Sequence, residues 1–230
     1  MKDFSTLEKK LGTKFKNQDI LKQAFVHRSY INENPSFNLS HNERLEFLGD
    51  AVLELIITEY LFQNYPNPEG ELTNWRASLV NSQMLAKIAK KLDLGKYLYL
   101  SRGEAKDTNG KARNYILANS IEALIGAMYL DQKYKAVQKF VIDVLIPELP
   151  HILTNQLYLD PKSKFQEIAQ EKLGITPSYK VIKESGPDHA KKFQVGVYLD
   201  SELVATSSGL SKQEAQVKAA AKALEKKKWQ

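Results

Sequence analysis

Acidic side chains recur at helical spacing in residues 41–56, HNERLEFLGDAVLELI. At about 100° per residue, Glu43, Glu46 and Asp50 fall in one narrow sector of a helix, while Leu45, Leu48 and Val52 point elsewhere. Stacked like charges repel by a few tenths of a kcal/mol per exposed pair, and a cation set among them removes that cost. Magnesium suits such a sector, because it takes oxygen ligands from one or two carboxylates and keeps several waters. Each residue also has a purely structural reading. Ser40-x-x-Glu43 has capping-box spacing, and Glu46 and Asp50 taken singly read more readily as solvated surface than as ligands. Glu54 falls on the same sector and is read as surface.

A second group lies in residues 116–132, ILANSIEALIGAMYLDQ, where Asn119 and Glu122 stand three apart on an otherwise apolar helix. A carboxylate buried in such a run must be paired or coordinate a metal. No Glu-x-x-His occurs, which argues against a di-iron bundle, and the four histidines show no ligand spacing. The absence of cysteine excludes disulfides, thiolate zinc sites, iron–sulfur clusters and cysteine nucleophiles.

These residues need helices to hold them, and the first part of the chain supplies helical periodicity over 19–29, 43–62, 81–91, 116–130 and 133–145. PELPHILTNQLYLDP, residues 147–161, carries three prolines and reads as a linker with one short turn of structure. Beyond it the pattern is helix over 162–173, strands over 176–184, 193–199 and 203–207, then a helix opened by Ser211 with Glu214 at capping-box spacing. The order α-β-β-β-α is expected for that part. With 230 residues, 43% apolar and 26% charged, one or two domains with their own cores are expected. No run reaches the roughly 18 apolar residues of a membrane span, and MKDFSTLEKK lacks the apolar core of a signal peptide, so a cytoplasmic protein is expected. The net charge of +6 favours a polyanionic partner without identifying it. Residues 160–230 hold 13 lysines against 9 acidic residues, so most of the surplus sits in under a third of the length.

NERLEFLGDAVL (42–53) looks like the signature of bacterial ribonuclease III. That family's other blocks follow in order as AFVHRS (24–29), PEGELTNWRASLVN (68–81), LGKYLYLSRGE (94–104) and ILANSIEALIGAMYLD (116–131). The resemblance implies two domains: an all-α nuclease domain over 1–150, a linker over 151–160, and a small α+β double-stranded RNA-binding domain over 161–229. The implied activity is Mg²⁺-dependent hydrolysis of double-stranded RNA, with Mn²⁺ as a substitute ion. It leaves 5′-phosphate and 3′-hydroxyl ends with short 3′ overhangs and processes precursors of ribosomal and other structured RNAs. No nucleotide cofactor and no membrane are implied.

In the family's motifs the positions of Glu46 and Glu122 are metal ligands, and that of Asp50 supports metal and attacking water. Glu43 matches an acidic position involved in cleavage, and Glu69 one that reaches the cleavage valley. Asn119 departs from the pattern, since the family usually has Asp there, and a neutral amide oxygen can ligate Mg²⁺ but adds no charge. A natural variant, an introduced substitution and a homologue that has lost activity all fit this difference, so a non-cleaving double-stranded RNA-binding regulator stands as the alternative function. In the RNA-binding domain the resemblance places contacts at Gln166 and Glu167, at His189 in the GPDHAKKF loop, and at Lys212 on the last helix; His189 alone would read as an ordinary turn residue. Gln213 and Gln216 replace residues that are commonly charged, which implies weaker binding with a shallower salt dependence. Phe47 corresponds to a cross-subunit plug in a homodimer, against a plain core role.

Overall fold

The computed structural model describes residues 2–108, 110–187 and 191–229. The chain forms two compact units, Met1–Tyr158 and Leu159–Gln230. The first is helical, with α1 (Ser5–Leu11), α2 (Gln18–Gln23), α3 (Arg28–Glu33), α4 (Glu43–Asn64), α5 (Glu69–Val80), α6 (Ser82–Lys91), α7 (Arg102–Lys106), α8 (Lys111–Leu145) and α9 (Leu149–Thr154). The second reads α10 (Pro161–Leu173), β1 (Ser178–Ser185), β2 (Lys192–Leu199), β3 (Glu202–Gly209) and α11 (Lys212–Lys227). The expected helical first domain and α-β-β-β-α order are both present.

The pairing of α4 with α8 is the axis of the first unit. Leu53, Ile56, Ile57 and Leu61 of α4 and Ile121, Leu124, Ile125 and Met128 of α8 are fully or almost fully buried. Each such side chain contributes on the order of 1.5–3 kcal/mol. The two periodic segments expected at 116–130 and 133–145 are joined in α8, but the backbone at Lys133 leaves helical geometry (φ 70°, ψ 178°). That break is held from outside. Asp131 accepts the backbone N–H groups of Lys16 and Asn17 at 3.0 and 2.9 Å, and the Gln132 side chain bonds Thr13.

Two segments depart from expectation. The single helix expected at 19–29 is instead α2 and α3, separated by residues 24–27. There the backbone is claimed by partners distant in sequence: Tyr99 N–H donates to the Phe25 carbonyl at 2.8 Å, and His27 N–H to the Tyr99 carbonyl at 3.1 Å. Residues 69–80, not expected to be helical, form α5 behind Pro68, with Glu69 and Glu71 in the favourable first turn and Trp75 and Leu79 buried. The short turn of structure expected within 147–161 is α9, whose Leu149 and Ile152 are buried in the first core.

In the second unit the antiparallel sheet runs β1-β2-β3, and α10 and α11 pack against it through Phe165, Ala169, Val197, Val204, Ala219 and Ala223. Asp160 caps α10 by accepting the Ser163 N–H at 3.1 Å, Pro161 opens the helix, and Gly174 closes it at φ 68°. Phe165 stacks on Trp229 with ring centroids 5.3 Å apart.

Candidate active site

α4 starts where Asn42 fixes it. This side chain is 3% exposed, and its amide donates to the Ala24 carbonyl at 3.2 Å. Its backbone N–H donates to the Val26 carbonyl at 2.9 Å, and its own carbonyl accepts the Leu45 and Glu46 N–H groups. The first turn of α4 is thereby tied to the extended 24–27 segment that breaks α2 from α3. The capping box expected from Ser40 does not form, since the helix opens at Glu43 behind Asn42. Glu43 pairs instead with Arg28 at 3.1 Å, and His41 Nδ1 lies 3.8 Å from the same carboxylate.

One turn further on, α4 and α8 touch backbone to backbone. A Cβ on Gly49 would lie 1.7 Å from the Glu122 carbonyl oxygen, and one on Gly126 would lie 2.2 Å from that of Leu45. Only glycine permits this approach. Glu46 and Asp50 flank Gly49, and Glu122 lies one turn before Gly126, so the crossing sets the carboxylates of the two helices against each other. The Asn119 side chain hydrogen-bonds Glu46. Four of the expected residues, Glu46, Asp50, Asn119 and Glu122, are therefore brought together, with Glu43 at their edge.

The electrostatics are those of crowded anions. Burial, with the charges of Asp50 and Glu46 adding, pushes the Glu122 carboxyl up to about 7. Burial and the Glu43 charge raise Glu46 as well, against the opposing bond from Asn119. Among the described residues no lysine, arginine or histidine forms an ion pair with Glu46, Asp50 or Glu122. Among the described residues no three His, Asp or Glu side chains are gathered closely enough to hold a metal ion by themselves. An all-oxygen donor set, open on one side and short of positive charge, fits a hard divalent cation that retains water. Such a site can neutralise the carboxylates and present charge to an anionic group.

The other expected residues lie elsewhere. Phe47 is 81% exposed, which excludes a core role within one chain. Glu69 opens α5 and accepts the Thr73 hydroxyl at 3.0 Å. It faces Thr58, Leu61 and Phe62, about 12 Å or more along α4 from Asp50. In the second unit Gln166 and Glu167 are exposed on α10. Lys212, first in α11, lies over the Phe193 ring at 5.5 Å and 3.5 Å from Glu184, which Lys191 also approaches at 3.2 Å. His189 lies outside the described residues. Gln216 accepts from Lys162 at 2.9 Å and so ties α11 to α10. Asn42, Gly49 and Gly126 were missed as site-building residues. Their signal was the mid-helix glycine, which costs about 1 kcal/mol against alanine and calls for a packing reason.

Residues 17–149 match a family model described as ribonuclease-III-like, and residues 161–227 match the double-stranded RNA binding motif. The chain is 47% identical over 226 residues to Ribonuclease 3 of Natranaerobius thermophilus, covering 98% of this chain and 96% of that one. It is 44% identical over 225 residues to Ribonuclease 3 of a Nitratiruptor species, covering 97% and 96%. The crystal structure of the nuclease domain of ribonuclease III from Campylobacter jejuni superposes with a TM-score of 0.57 at 37% identity, over 65% of this chain and 98% of that domain. A second structure of that domain, which concerns flexibility in its dimer-forming region, gives 0.57 at 36% over 64% and 99%. Family match, near-complete relatives and a shared helical domain together make this chain a member of the ribonuclease III family.

Proposed function

We propose that the chain is an endonuclease that hydrolyses double-stranded RNA to 5′-phosphate and 3′-hydroxyl ends with short 3′ overhangs, in the cytoplasm, on ribosomal precursors and other structured RNAs. The observation that carries this reading is the cluster of Glu46, Asp50, Asn119 and Glu122 at the α4–α8 crossing, uncompensated by any protein cation among the described residues. These four residues would hold Mg²⁺, with Mn²⁺ able to replace it. When bound, the cation lends positive charge to a phosphodiester oxygen and lowers the pKa of water.

The remaining work falls to the chain. Glu122, whose carboxyl is held near 7 by burial and its acidic neighbours, would give up that proton as a cation enters and meet it as a carboxylate. Asp50, exposed beside the cluster, would orient the attacking water. Arg28 fixes the Glu43 carboxylate at the edge and keeps its charge from acting alone. Glu69, Gln166, Glu167, His189 and Lys212 are assigned to RNA contact. Duplex RNA hides its bases in a deep, narrow groove and is read by shape across minor grooves and the phosphates between them. The start of α11, where Ser211 caps the Glu214 N–H at 3.1 Å, sets Lys212 at the positive end of the helix dipole, which suits a phosphate.

We assign a homodimer to the exposed face of α4. Phe47, Leu55 and Phe62 are 81%, 57% and 79% exposed there. The same molecule offers a pocket of about 410 Å³ lined by Leu61, Phe62, Leu72 and Arg76. A protruding aromatic and a largely apolar recess on one chain are the two halves of an isologous contact. The test is incubation of the full chain with an end-labelled RNA duplex and Mg²⁺. Cleavage to 5′-phosphate ends supports the reading, and binding without cleavage in both Mg²⁺ and Mn²⁺ would establish the non-cleaving regulator instead.

A further inference from the structure

The face of α8 that carries Asn119 and Glu122 continues upstream. At about 100° per residue, Lys111, Tyr115, Asn119 and Glu122 fall within one sector of about 80°. Lys111 and Tyr115 therefore sit about 10–16 Å along the axis from Glu122. That end of α8 and the flank of α6 enclose a pocket of about 600 Å³, lined by Lys87, Lys90, Lys111, Asn114 and Tyr115. Lys87 is tied to Glu148 at 2.6 Å. Lys90 and Lys111 have no ion-pair partner among the described residues, and the Tyr115 ring is 59% exposed.

We propose that this pocket is a second RNA subsite, in which Lys90 and Lys111 hold phosphates of the strand a few nucleotides from the bond being cut and Tyr115 forms the wall against the sugar or base. The inference rests on the double-stranded RNA nuclease reading above. The physical need is local. A cation among the carboxylates offsets their charge at one phosphate only, and the neighbouring phosphates of the strand still face Glu43, Glu46 and Asp50. Free lysines on the same helical face supply the attraction that keeps the strand in line, and phosphate contacts of this kind set register without reading sequence. The first unit carries a surplus of only two positive charges, 20 basic against 18 acidic residues over 1–159, so unpaired lysines gathered in one concavity are a local departure from its near-neutral balance.

The test is the salt dependence of duplex binding and of KM for the full-length K90A/K111A variant against the parent chain, with K90R/K111R as rescue. Parent cleavage of the duplex is measured first, so that failure of the nuclease reading is seen separately. Because the exposed lysines are not part of the core, matching thermal midpoints establish that both variants fold. Loss of two phosphate contacts is expected to make the slope of log K against log salt shallower by about 1.8 and to raise KM about tenfold at 0.15 M salt, with both restored by arginine. An unchanged slope and KM in K90A/K111A would overturn the proposal. So would inorganic phosphate raising the parent's thermal midpoint, but not the variant's, while duplex binding stays the same, since the pocket would then serve a free anion.

Discussion

At the scale of single residues, Asn119 and Glu122 decide how the cluster behaves. Asn119 spends its side chain on a hydrogen bond to Glu46, which relieves part of the crowding without adding charge. Asn119→Asp would replace that donor with another anion, raising the repulsion in the empty cluster and the attraction for a divalent ion together. The variant is therefore expected to reach half-maximal activity at a lower Mg²⁺ concentration, and a metal titration giving equal half-saturation would contradict this. Glu122 supplies a pH signature. Its folded carboxyl lies near 7 against an ordinary 4.5, so between those values the folded state binds more protons than the unfolded one. Stability falls as pH rises through that window, and the penalty is complete above about 7. Without divalent ions, the thermal midpoint of the parent should drop relative to Glu122→Gln between pH 5 and 8, and added Mg²⁺ should close the gap. Parallel pH curves for the two proteins would remove the carboxylate from this role.

At the scale of elements, the crossing of α4 and α8 depends on two glycines. Gly49→Ala gains about 1 kcal/mol of helix propensity but drives a methyl into the Glu122 carbonyl, and overpacking of this kind costs about 1–3 kcal/mol or more. A net loss of about 2 kcal/mol, with loss of cleavage, is expected in denaturant titration and assay. Gly70→Ala, whose added methyl meets nothing within 4 Å, is the control and should lose nothing. Equal behaviour of the two variants would mean that the helices do not need this approach. The same crossing shows what was legible in the text. Glu43, Glu46 and Asp50 could be placed on one face because helical phase is local, and Asn119 with Glu122 likewise. That the two faces meet could not be read, because it depends on a backbone contact between residues more than 70 positions apart. The split of α2 from α3 escaped periodicity for the same reason: the 24–27 backbone bonds to Tyr99 and Asn42. α5 was hidden because only Trp75 and Leu79 of its side chains are buried, leaving little apolar rhythm. In the second unit the alternation of β2 and the alanine stripe of α11 were enough, since both elements pack on near neighbours in sequence.

At the scale of the whole molecule, the charge of +6 resolves into a nearly balanced helical unit, four of whose 18 acids lie in or beside the cluster, and a second unit with a lysine surplus. The polyanion expected from bulk charge is bound by one unit and cut by the other. The proposed homodimer is tested at the exposed side chains of α4. Phe47→Ala removes an aromatic that is 81% exposed, so the fold should survive while light scattering at micromolar concentration shifts from dimer toward monomer. A parent chain that is already monomeric there would contradict the dimer. The central claim, that the carboxylates at the helix crossing cut duplex RNA, is tested most directly by comparing the parent with Glu122→Gln on a long RNA duplex in Mg²⁺, with binding measured alongside. The account predicts that the variant binds the duplex as the parent does and cleaves it at least about a hundredfold more slowly. Cleavage by Glu122→Gln at the parent's rate would contradict it.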